Sequence, residues 1–226
     1  MAGSNQGRVA LLFGGSGLVG HELLQLLLES PVYTRVISLS RQDIAISHTK
    51  LDSRIIDFQD LEGALEDVSA DDVFCCLGTT IKKAGSQEEF EKVDLEYPLR
   101  IAWAMQSKAH HFLVITALGA KADSAVFYSR VKGKLEAGLR NLTYTNLSIF
   151  RPSLLSGVRK EQRFFESIGI KVATIGRPLF CGPLKKYAAI PAASVARAMI
   201  SVAIALAEGR GGAGIRIVES DAMQAY

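Results

Sequence analysis

A glycine-rich segment near the start of the chain, residues 8–20 (RVALLFGGSGLVG), constrains the fold more than any other sequence feature. An apolar run from Val9 to Phe13 precedes four glycines within seven positions, and apolar residues then recur at helical spacing up to Leu28. Short apolar runs of this kind are typical of buried strands, whereas the periodic spacing indicates a helix that packs on one face. The segment therefore predicts a strand, a tight turn and a helix in direct succession.

The glycines of this turn fit two spacings. Gly15, Gly17 and Gly20 form G-x-G-x-x-G. If Gly14 takes the place of Gly15, the spacing becomes G-x-x-G-x-x-G. In either case the glycines permit the turn and let a phosphate approach the backbone, while the free N–H groups and dipole of the helix favour a pyrophosphate. The strand–turn–helix context favours a dinucleotide site over a plain glycine-rich loop. Its predicted residues are Gly14, Gly15, Ser16, Gly17, Leu18, Val19 and Gly20.

Length and composition bound the kind of protein. The chain has 226 residues, 48% of them hydrophobic, which predicts one domain over residues 1–226 with a smaller substrate-side portion in 151–226. A net charge of +3 without long runs of like charge argues against nucleic-acid or membrane binding. The opening MAGSNQG is not typical of a signal peptide. Three cysteines provide neither a disulfide framework nor zinc-binding spacing, which favours a cytoplasmic protein without a metal site.

Strand-like and helix-like segments alternate along the chain, which predicts an α/β fold, a parallel sheet with helices on both faces. The predicted strands cover residues 9–13, 35–39, 54–56, 73–77, 110–116, 145–150 and 214–218. The last of these either extends the sheet or forms a small flap. The predicted helices cover residues 18–28, 86–108, 124–139 and 192–207, with weak helical spacing around Leu61 and Leu65. Ligands of such sheets bind beyond the carboxyl ends of the strands.

The predicted helix 86–108 carries a start signal and an interruption. Ser86 followed by Glu89 matches a capping box. Pro98 cannot donate a backbone hydrogen bond and therefore predicts a kink or a break.

Two adjacent pairs of residues have structural interpretations. Cys75 and Cys76, in one strand, should point to opposite faces of the sheet, and we interpret them as core residues and not as redox centres. His110 and His111 begin a strand, away from the ligand edge. We expect them in a solvated turn and not at a metal.

Tyr128 and Lys132 form Y-x-x-x-K within a predicted helix, so both side chains lie on one face, one turn apart. An ammonium near the phenol should lower the pKa of Tyr128 toward a value useful for proton transfer. The alternative is a half-buried aromatic residue beside a snorkelling lysine. Thr116, which ends a strand twelve residues earlier, could hydrogen-bond a substrate carbonyl oxygen while Tyr128 moves the proton.

Together, the glycine turn, Thr116 and the Tyr128–Lys132 pair resemble the short-chain dehydrogenase/reductase superfamily. Four further segments resemble its atypical branch of Tat-interacting-protein-like oxidoreductases and their bacterial relatives: CCLGTT (75–80), ITALGA (115–120), FYSRVKGKLE (127–136) and IFRPSLL (149–155). The resemblance implies a Rossmann-type, doubly wound parallel sheet that binds NAD(P). It implies Tyr128 as general acid/base and Lys132 on the nicotinamide ribose.

The same resemblance assigns further residues. Thr116 replaces the usual serine of the superfamily, and Asp94 stands near the position of its supporting asparagine. Asp57 and Phe58 should approach the adenine. The middle of the cofactor should be lined by Leu77, Gly78 and Thr79, and the nicotinamide should be flanked by Arg151, Pro152 and Ser153.

The end of the second predicted strand bears on the choice of cofactor. An NAD-preferring site places Asp or Glu there, whereas this strand ends in Leu39, Ser40 and Arg41, and Asp43 comes two positions late. Arg41 offers a guanidinium and Ser40 a hydroxyl to a 2′-phosphate. The prediction is NADP(H), with NAD as the alternative. If the glycine turn upstream is left out of account, an ordinary loop arginine is an equally good interpretation of Arg41.

Three functions follow from these motifs. The first is an NADP(H)-dependent oxidoreductase acting on a carbonyl or alcohol, with Tyr128 as the acid/base. The second is a non-catalytic NADP(H)-sensing regulatory or scaffold protein with a protein partner, and the third is a sugar-nucleotide epimerase or dehydratase. The sequence specifies neither the substrate nor whether the protein forms a homodimer. Candidate pocket residues are Glu161, Arg163, Phe164, Phe165 and Phe180.

Overall fold

The computed structural model describes residues 7–156 and 188–226. Its strands are β1 (Arg8–Phe13), β2 (Tyr33–Ser40), β3 (Leu51–Ile55), β4 (Ala70–Cys75), β5 (Ala109–Ile115), β6 (Asn146–Arg151), β7 (Leu155–Ser156), β8 (Ile190–Pro191) and β9 (Gly214–Glu219). Its helices are α1 (Leu18–Glu29), α2 (Leu61–Ala64), α3 (Ile81–Ala84), α4 (Gln87–Glu91), α5 (Tyr97–Met105), α6 (Phe127–Arg140), α7 (Ala192–Ala207) and α8 (Ser220–Met223).

Seven strands form one parallel sheet in the order β3-β2-β1-β4-β5-β6-β9. The direction in which successive strands are added reverses between β1 and β4, which is the switch point of a Rossmann-type sheet. This confirms the predicted fold class. β9 pairs with β6 and so extends the sheet instead of forming a flap. β7 and β8 make a separate two-stranded sheet.

Helices cover both faces of the sheet because the side chains of each strand alternate between two apolar layers. On β1, Ala10 and Leu12 pack beneath α1 and α7, whereas Leu11 and Phe13 pack beneath α2, α5 and α6. The predicted strands and helices are confirmed within a few residues of their ends. The largest shift is in β3, which begins at Leu51 instead of Arg54, because the alternating burial of its residues gives a weak apolar signal.

The predicted helix 86–108 is three pieces. The Ser86 hydroxyl accepts from the Glu89 N–H and caps α4, as expected. A π-helical turn (Lys92–Glu96) then joins α4 to α5. Pro98, in the first turn of α5, has no N–H to donate to the carbonyl four residues earlier, that of Asp94, and the backbone widens there. The predicted break thus takes the form of a π-helical turn that carries Asp94.

The expectation that His111 lies in a solvated turn is wrong. His111 is inside β5 and fully buried beneath α1 and α7, whereas His110 is exposed. Its Nε2 lies 2.8 Å from Ser148 Oγ, and its Nδ1 lies 3.3 Å from Asp72 Oδ1. Neighbouring strands supply both polar partners, and this makes burial of the imidazole tolerable.

The vicinal cysteines lie on opposite faces of the sheet, as predicted. Cys75 belongs to the layer beneath α5 and α6, and Cys76 packs against the layer beneath α1 and α7. Burial raises the pKa of the Cys75 thiol to about 12. We expect Cys75 to escape alkylation by iodoacetamide at pH 8 in the native protein and to react after unfolding, as tandem mass spectrometry of the 70–80 region would detect. Equal labelling in both states would contradict its assignment to the core.

Within residues 7–156 and 188–226, the structure contains no helix long and apolar enough to cross a membrane.

Candidate functional site

The segments singled out in the sequence meet at the carboxyl edge of the sheet. The glycine turn follows β1, Leu77–Thr79 follow β4, Thr116 follows β5, and Pro152–Ser153 follow β6. β1, β4, β5 and β6 are consecutive neighbours in the sheet, so these segments are adjacent in space. The switch point between β1 and β4 lies at the same place, where sheets of this type leave a ligand crevice.

The glycine turn is close-packed against its own backbone. The Gly17 N–H donates to the Gly14 carbonyl at 2.9 Å, and a Cβ on Gly20 would lie 2.0 Å from that same oxygen. Gly14 has a φ of +83°, and a Cβ there would lie 2.6 Å from the Cys76 carbonyl oxygen. A side chain at Gly14 or Gly20 would therefore displace the turn from β4 or from α1.

The first turn of α1 is open to an anion. Its N-cap, Gly17, offers no side-chain hydrogen bond to the helix, and no acidic residue lies in the first turn. The leading N–H groups of the helix therefore keep their capacity to donate. These observations fit the pyrophosphate of a dinucleotide.

Ser40 and Arg41 stand at the end of β2, beside the glycine turn. The Ser40 side chain is buried, and its hydroxyl donates to the Gln42 carbonyl at 2.5 Å. The Arg41 side chain is exposed and makes no ion pair or hydrogen bond with any residue that the structure describes. Of this pair, only the guanidinium is available to a ligand without breaking an internal hydrogen bond.

Asp57 and Phe58, which are predicted to approach the adenine, follow β3 and have structural roles there. The Asp57 carboxylate accepts from the Gln59 N–H at 2.8 Å and caps a 3-10 turn. The Phe58 ring is buried between Phe13 and Tyr97. Phe58 is thus a core residue of the sheet edge, and its contact with adenine stays a prediction.

A buried ion pair lies beneath the loop after β4. Lys132 Nζ is 2.7 Å from Asp94 Oδ1, and both side chains are almost entirely buried. Asp94 Oδ2 also accepts the Thr79 N–H at 2.7 Å. Asp94 therefore links α6 to the segment that should line the middle of the cofactor.

Tyr128 lies one helical turn before Lys132 on α6, as predicted, and 36% of the residue is exposed. Its ring packs against Phe90, with 5.8 Å between ring centroids. The expected lowering of the Tyr128 pKa is wrong. Its pKa is raised because the packed surroundings disfavour the phenolate; Lys132 opposes this effect, and Asp94 adds to it. The sequence pattern shows the nearby ammonium but not the packing around the ring, and the packing has the larger effect on the pKa.

Thr116 and Arg151 are bound to a second buried carboxylate, Glu136. The Thr116 hydroxyl donates to Glu136 Oε1 at 2.8 Å, and Arg151 makes two hydrogen bonds to the same carboxylate, at 2.9 and 2.5 Å. Arg151 also contacts Glu219 at 3.0 Å. Thr116 is only 2% exposed, so its predicted contact with a substrate oxygen requires the hydrogen bond to Glu136 to open. Arg151 has the geometry of a clamp joining β6, α6 and β9.

Pro152 and Ser153 complete this edge. The Pro152 carbonyl accepts the Leu118 N–H at 2.9 Å, and the Ser153 hydroxyl donates to the Ala188 carbonyl at 2.5 Å. The first bond ties the loops after β5 and β6 together, and the second ties the loop after β6 to the segment before β8. The candidate pocket residues Glu161, Arg163, Phe164, Phe165 and Phe180 lie outside the described residues.

Comparison with known proteins identifies the family. Residues 10–133, more than half of the chain, match the model of the NAD dependent epimerase/dehydratase family. The chain belongs to this family. The match to this epimerase/dehydratase model includes the glycine turn, Asp94, Tyr128 and Lys132. Membership in an NAD-dependent family supports a nicotinamide dinucleotide as the cofactor.

Two relatives match most of the chain. Protein HTATIP2 of Rattus norvegicus is 31% identical over 214 residues, which are 91% of this chain and 85% of that protein. A protein of Meyerozyma guilliermondii named FMP52, mitochondrial, is 34% identical over 181 residues, which are 77% of this chain and 78% of that protein. These matches confirm the resemblance to the atypical branch of short-chain dehydrogenases/reductases.

Solved structures agree with the fold. The Bordetella bronchiseptica enzyme WbmH, in complex with NAD+, has a TM-score of 0.69 at 13% identity, covering 95% of this chain and 76% of its own. A short chain dehydrogenase family protein from Francisella tularensis has a TM-score of 0.65 at 14% identity, covering 96% and 98%. At this identity the likeness concerns the Rossmann-type fold alone.

The sequence interpretation missed the two carboxylates that organise the site. Glu136 was not singled out, although Tyr128, Lys132 and Glu136 recur at intervals of four on one face of α6. Asp94 was noted only as a replacement for asparagine. A buried Lys and a buried Glu on the same helix face each need an opposite charge, and that requirement is the signal that could have found both partners.

Proposed function

We propose that the protein is an NADP(H)-dependent oxidoreductase that interconverts a carbonyl compound and the corresponding alcohol. The observation that carries this proposal is the position of Tyr128: a partly exposed tyrosine one turn from a buried lysine, on the sheet edge that carries the open glycine turn. A residue that only bound the cofactor would not need an ionisable hydroxyl with this neighbour.

Each part of the candidate site has its own role in the proposed reaction. The glycine turn and the N-terminus of α1 bind the pyrophosphate, and Lys132 orients the ribose. When bound, the reduced nicotinamide supplies a hydride to the carbonyl carbon. Tyr128 donates its hydroxyl proton to the carbonyl oxygen, which completes the alcohol. The pKa of Tyr128 is raised above its ordinary value, which suits a residue that donates its proton during carbonyl reduction.

A side-by-side calorimetric titration with NADPH and NADH tests the cofactor assignment. Tight binding of NADPH and weak binding of NADH would support it and justify a screen of carbonyl substrates. If neither nucleotide bound, the glycine turn would be structural and the proposal would fail.

Arg41→Ala should weaken NADPH binding by about 10- to 100-fold and leave NADH binding nearly unchanged, because a charge-assisted hydrogen bond to the 2′-phosphate is lost. Arg210→Ala is a matched control, since among the described residues the Arg210 guanidinium pairs only with nearby Glu208, just before β9 at the amino edge of the sheet. Equal losses for both nucleotides in Arg41→Ala would contradict the 2′-phosphate contact.

A non-catalytic NADP(H) sensor is the second candidate. It is favoured by Thr116, whose hydroxyl is buried and bonded to Glu136, so that it is withheld from a substrate. The family match keeps epimerase or dehydratase activity as a third candidate. Tight NADPH binding without turnover of any carbonyl compound would favour the sensor, and conversion of a UDP-sugar would favour the third.

We infer that the protein works in a reducing compartment, because the described cysteines, Cys75 and Cys76, are free thiols. We propose the cytoplasm, with a small-molecule substrate and a homodimer or protein partner, and without nucleic-acid or membrane ligands. The fungal relative is named mitochondrial, so cell fractionation should include both compartments.

A further inference from the structure

The π-helical turn places the Asp94 carboxylate against Lys132, the partner of the proposed acid/base residue Tyr128. Asp94 has no exposed surface, and its two oxygens contact different elements: Oδ1 contacts Lys132 on α6, and Oδ2 contacts the Thr79 N–H after β4. A buried carboxylate is costly unless charges and donors compensate it, and here both oxygens are compensated. The π-helical turn that carries Asp94 belongs to a class of distortion frequent at functional sites.

The charges around the pair are few and can be named. Lys132 faces Asp94 and Tyr128, and among the residues that the structure describes the Cys75 thiol of β4 is the remaining titratable group close to both ions. Glu136, one turn further along α6, is occupied by Arg151. Arg130, on the same helix, donates to the carbonyls of the preceding loop. Asp94 is therefore the anion that balances Lys132.

We propose that Asp94 is a positioning residue whose negative charge holds the Lys132 ammonium in place beneath Tyr128 and whose second oxygen fixes the cofactor-side loop at Thr79. The proposal rests on the proposed role of Tyr128 as proton donor. The single Asp94 side chain then joins the loop at Thr79 to Lys132, and through Lys132 to Tyr128. The charge of Asp94 keeps protons on the Tyr128–Lys132 pair to higher pH than an uncharged residue would.

The contacts predict the direction in which the titration of the Tyr128–Lys132 pair moves when Asp94 is replaced. Removal of the carboxylate leaves a buried ammonium without its partner, so the pair gives up its first proton more easily, whether that proton leaves the lysine or the tyrosine. Asp94→Asn isolates the charge, because the amide has almost the same size and its oxygen can still accept the Thr79 N–H. Asp123→Asn is the matched control, since Asp123 is an exposed carboxylate that pairs with an exposed lysine.

The test is an NMR titration of ¹³C-labelled Tyr128 and Lys132 in the full chain, with Tyr128→Phe and Lys132→Arg used to assign the signals. We expect the first deprotonation of the pair to move down by at least about one pH unit in Asp94→Asn and not at all in Asp123→Asn. Asp94→Glu, which restores the charge, should bring it back toward the wild-type value. An unchanged titration in Asp94→Asn would overturn the proposal.

If Asp94→Asn does not fold, the wild-type protein still decides the matter. The proposal requires Lys132 to stay protonated up to at least the ordinary lysine pKa of about 10.4. A Lys132 signal that titrates clearly below that pH would overturn it. Both measurements are independent of turnover, so a titration shift in a protein that reduces no substrate would leave the role of Asp94 in place and reject only the proposed oxidoreductase activity.

For an active enzyme, the alkaline limb of the kcat profile for carbonyl reduction should move to lower pH in Asp94→Asn by the same amount as the titration. If Asp94 had only a structural role, its replacement would lower kcat at every pH without moving the alkaline limb.

Discussion

Tyr128→Phe is expected to lower the kcat of carbonyl reduction by about 100- to 10,000-fold, the range typical of a lost general acid. The substitution removes only the hydroxyl and keeps the ring packed on Phe90. The Kd for NADPH should therefore change by less than about threefold, because the pyrophosphate and ribose contacts involve other residues. Steady-state kinetics and calorimetry on the same preparation measure both quantities.

A matched control uses the same chemical change at a remote place. Tyr226→Phe removes a hydroxyl from the partly exposed C-terminal residue, which contacts α7 through its backbone carbonyl. This variant should retain wild-type kcat. If Tyr128→Phe turned over as fast as Tyr226→Phe, Tyr128 would not be the acid/base and the sensor function would become the better explanation.

Asp72→Ala is expected to lower the free energy of unfolding by about 3–5 kcal/mol, the cost of removing one partner of a buried ion pair. Asp72 is fully buried at the amino edge of the sheet, where its Oδ2 accepts from Arg8 at 2.8 and 3.0 Å and from the Tyr33 hydroxyl at 2.8 Å. Its other oxygen faces His111 at 3.3 Å. The alanine variant leaves Arg8 and Tyr33 without their shared acceptor.

Urea unfolding monitored by circular dichroism gives the difference between the variant and the wild type. Asp67→Ala is the control, because Asp67 is a mostly exposed carboxylate paired with Arg54 at 3.3 Å; it should cost less than about 1 kcal/mol. The polar cluster lies at the opposite edge from the glycine turn, so folded Asp72→Ala should bind NADPH normally. A loss no larger than that of Asp67→Ala would contradict the assigned role of the cluster.

Much of the fold could be read from the sequence because its signals are local. The apolar run, glycine spacing and helical periodicity of residues 8–28 specify a strand, a turn and a helix within a short stretch of chain. Repetition of that unit implies a parallel sheet, and in such a sheet the strand ends meet at one edge. The α7 boundaries were predicted to the residue, since Pro191 precedes an apolar helix.

Errors arose where a residue's partner comes from a distant part of the chain. His111 looks like a turn residue until β4 and β6 supply Asp72 and Ser148. Thr116 looks free until α6 places Glu136 against it. Tyr128 looks like a phenol of lowered pKa until the packing of its ring against Phe90 of α4 is seen. In each case the environment of a polar group depends on which elements are neighbours, and no local pattern encodes that.

By itself, the sequence determined the layered α/β architecture, the dinucleotide turn and the pairing of Tyr128 with Lys132 on one helix face, because backbone propensity and side-chain period act over a few residues. Only the tertiary structure decided which charges are neutralised and which remain available. Asp94 and Glu136 come to Lys132 and Arg151 through the packing of elements, and electrostatic energy in a buried site depends on distance and desolvation instead of sequence separation.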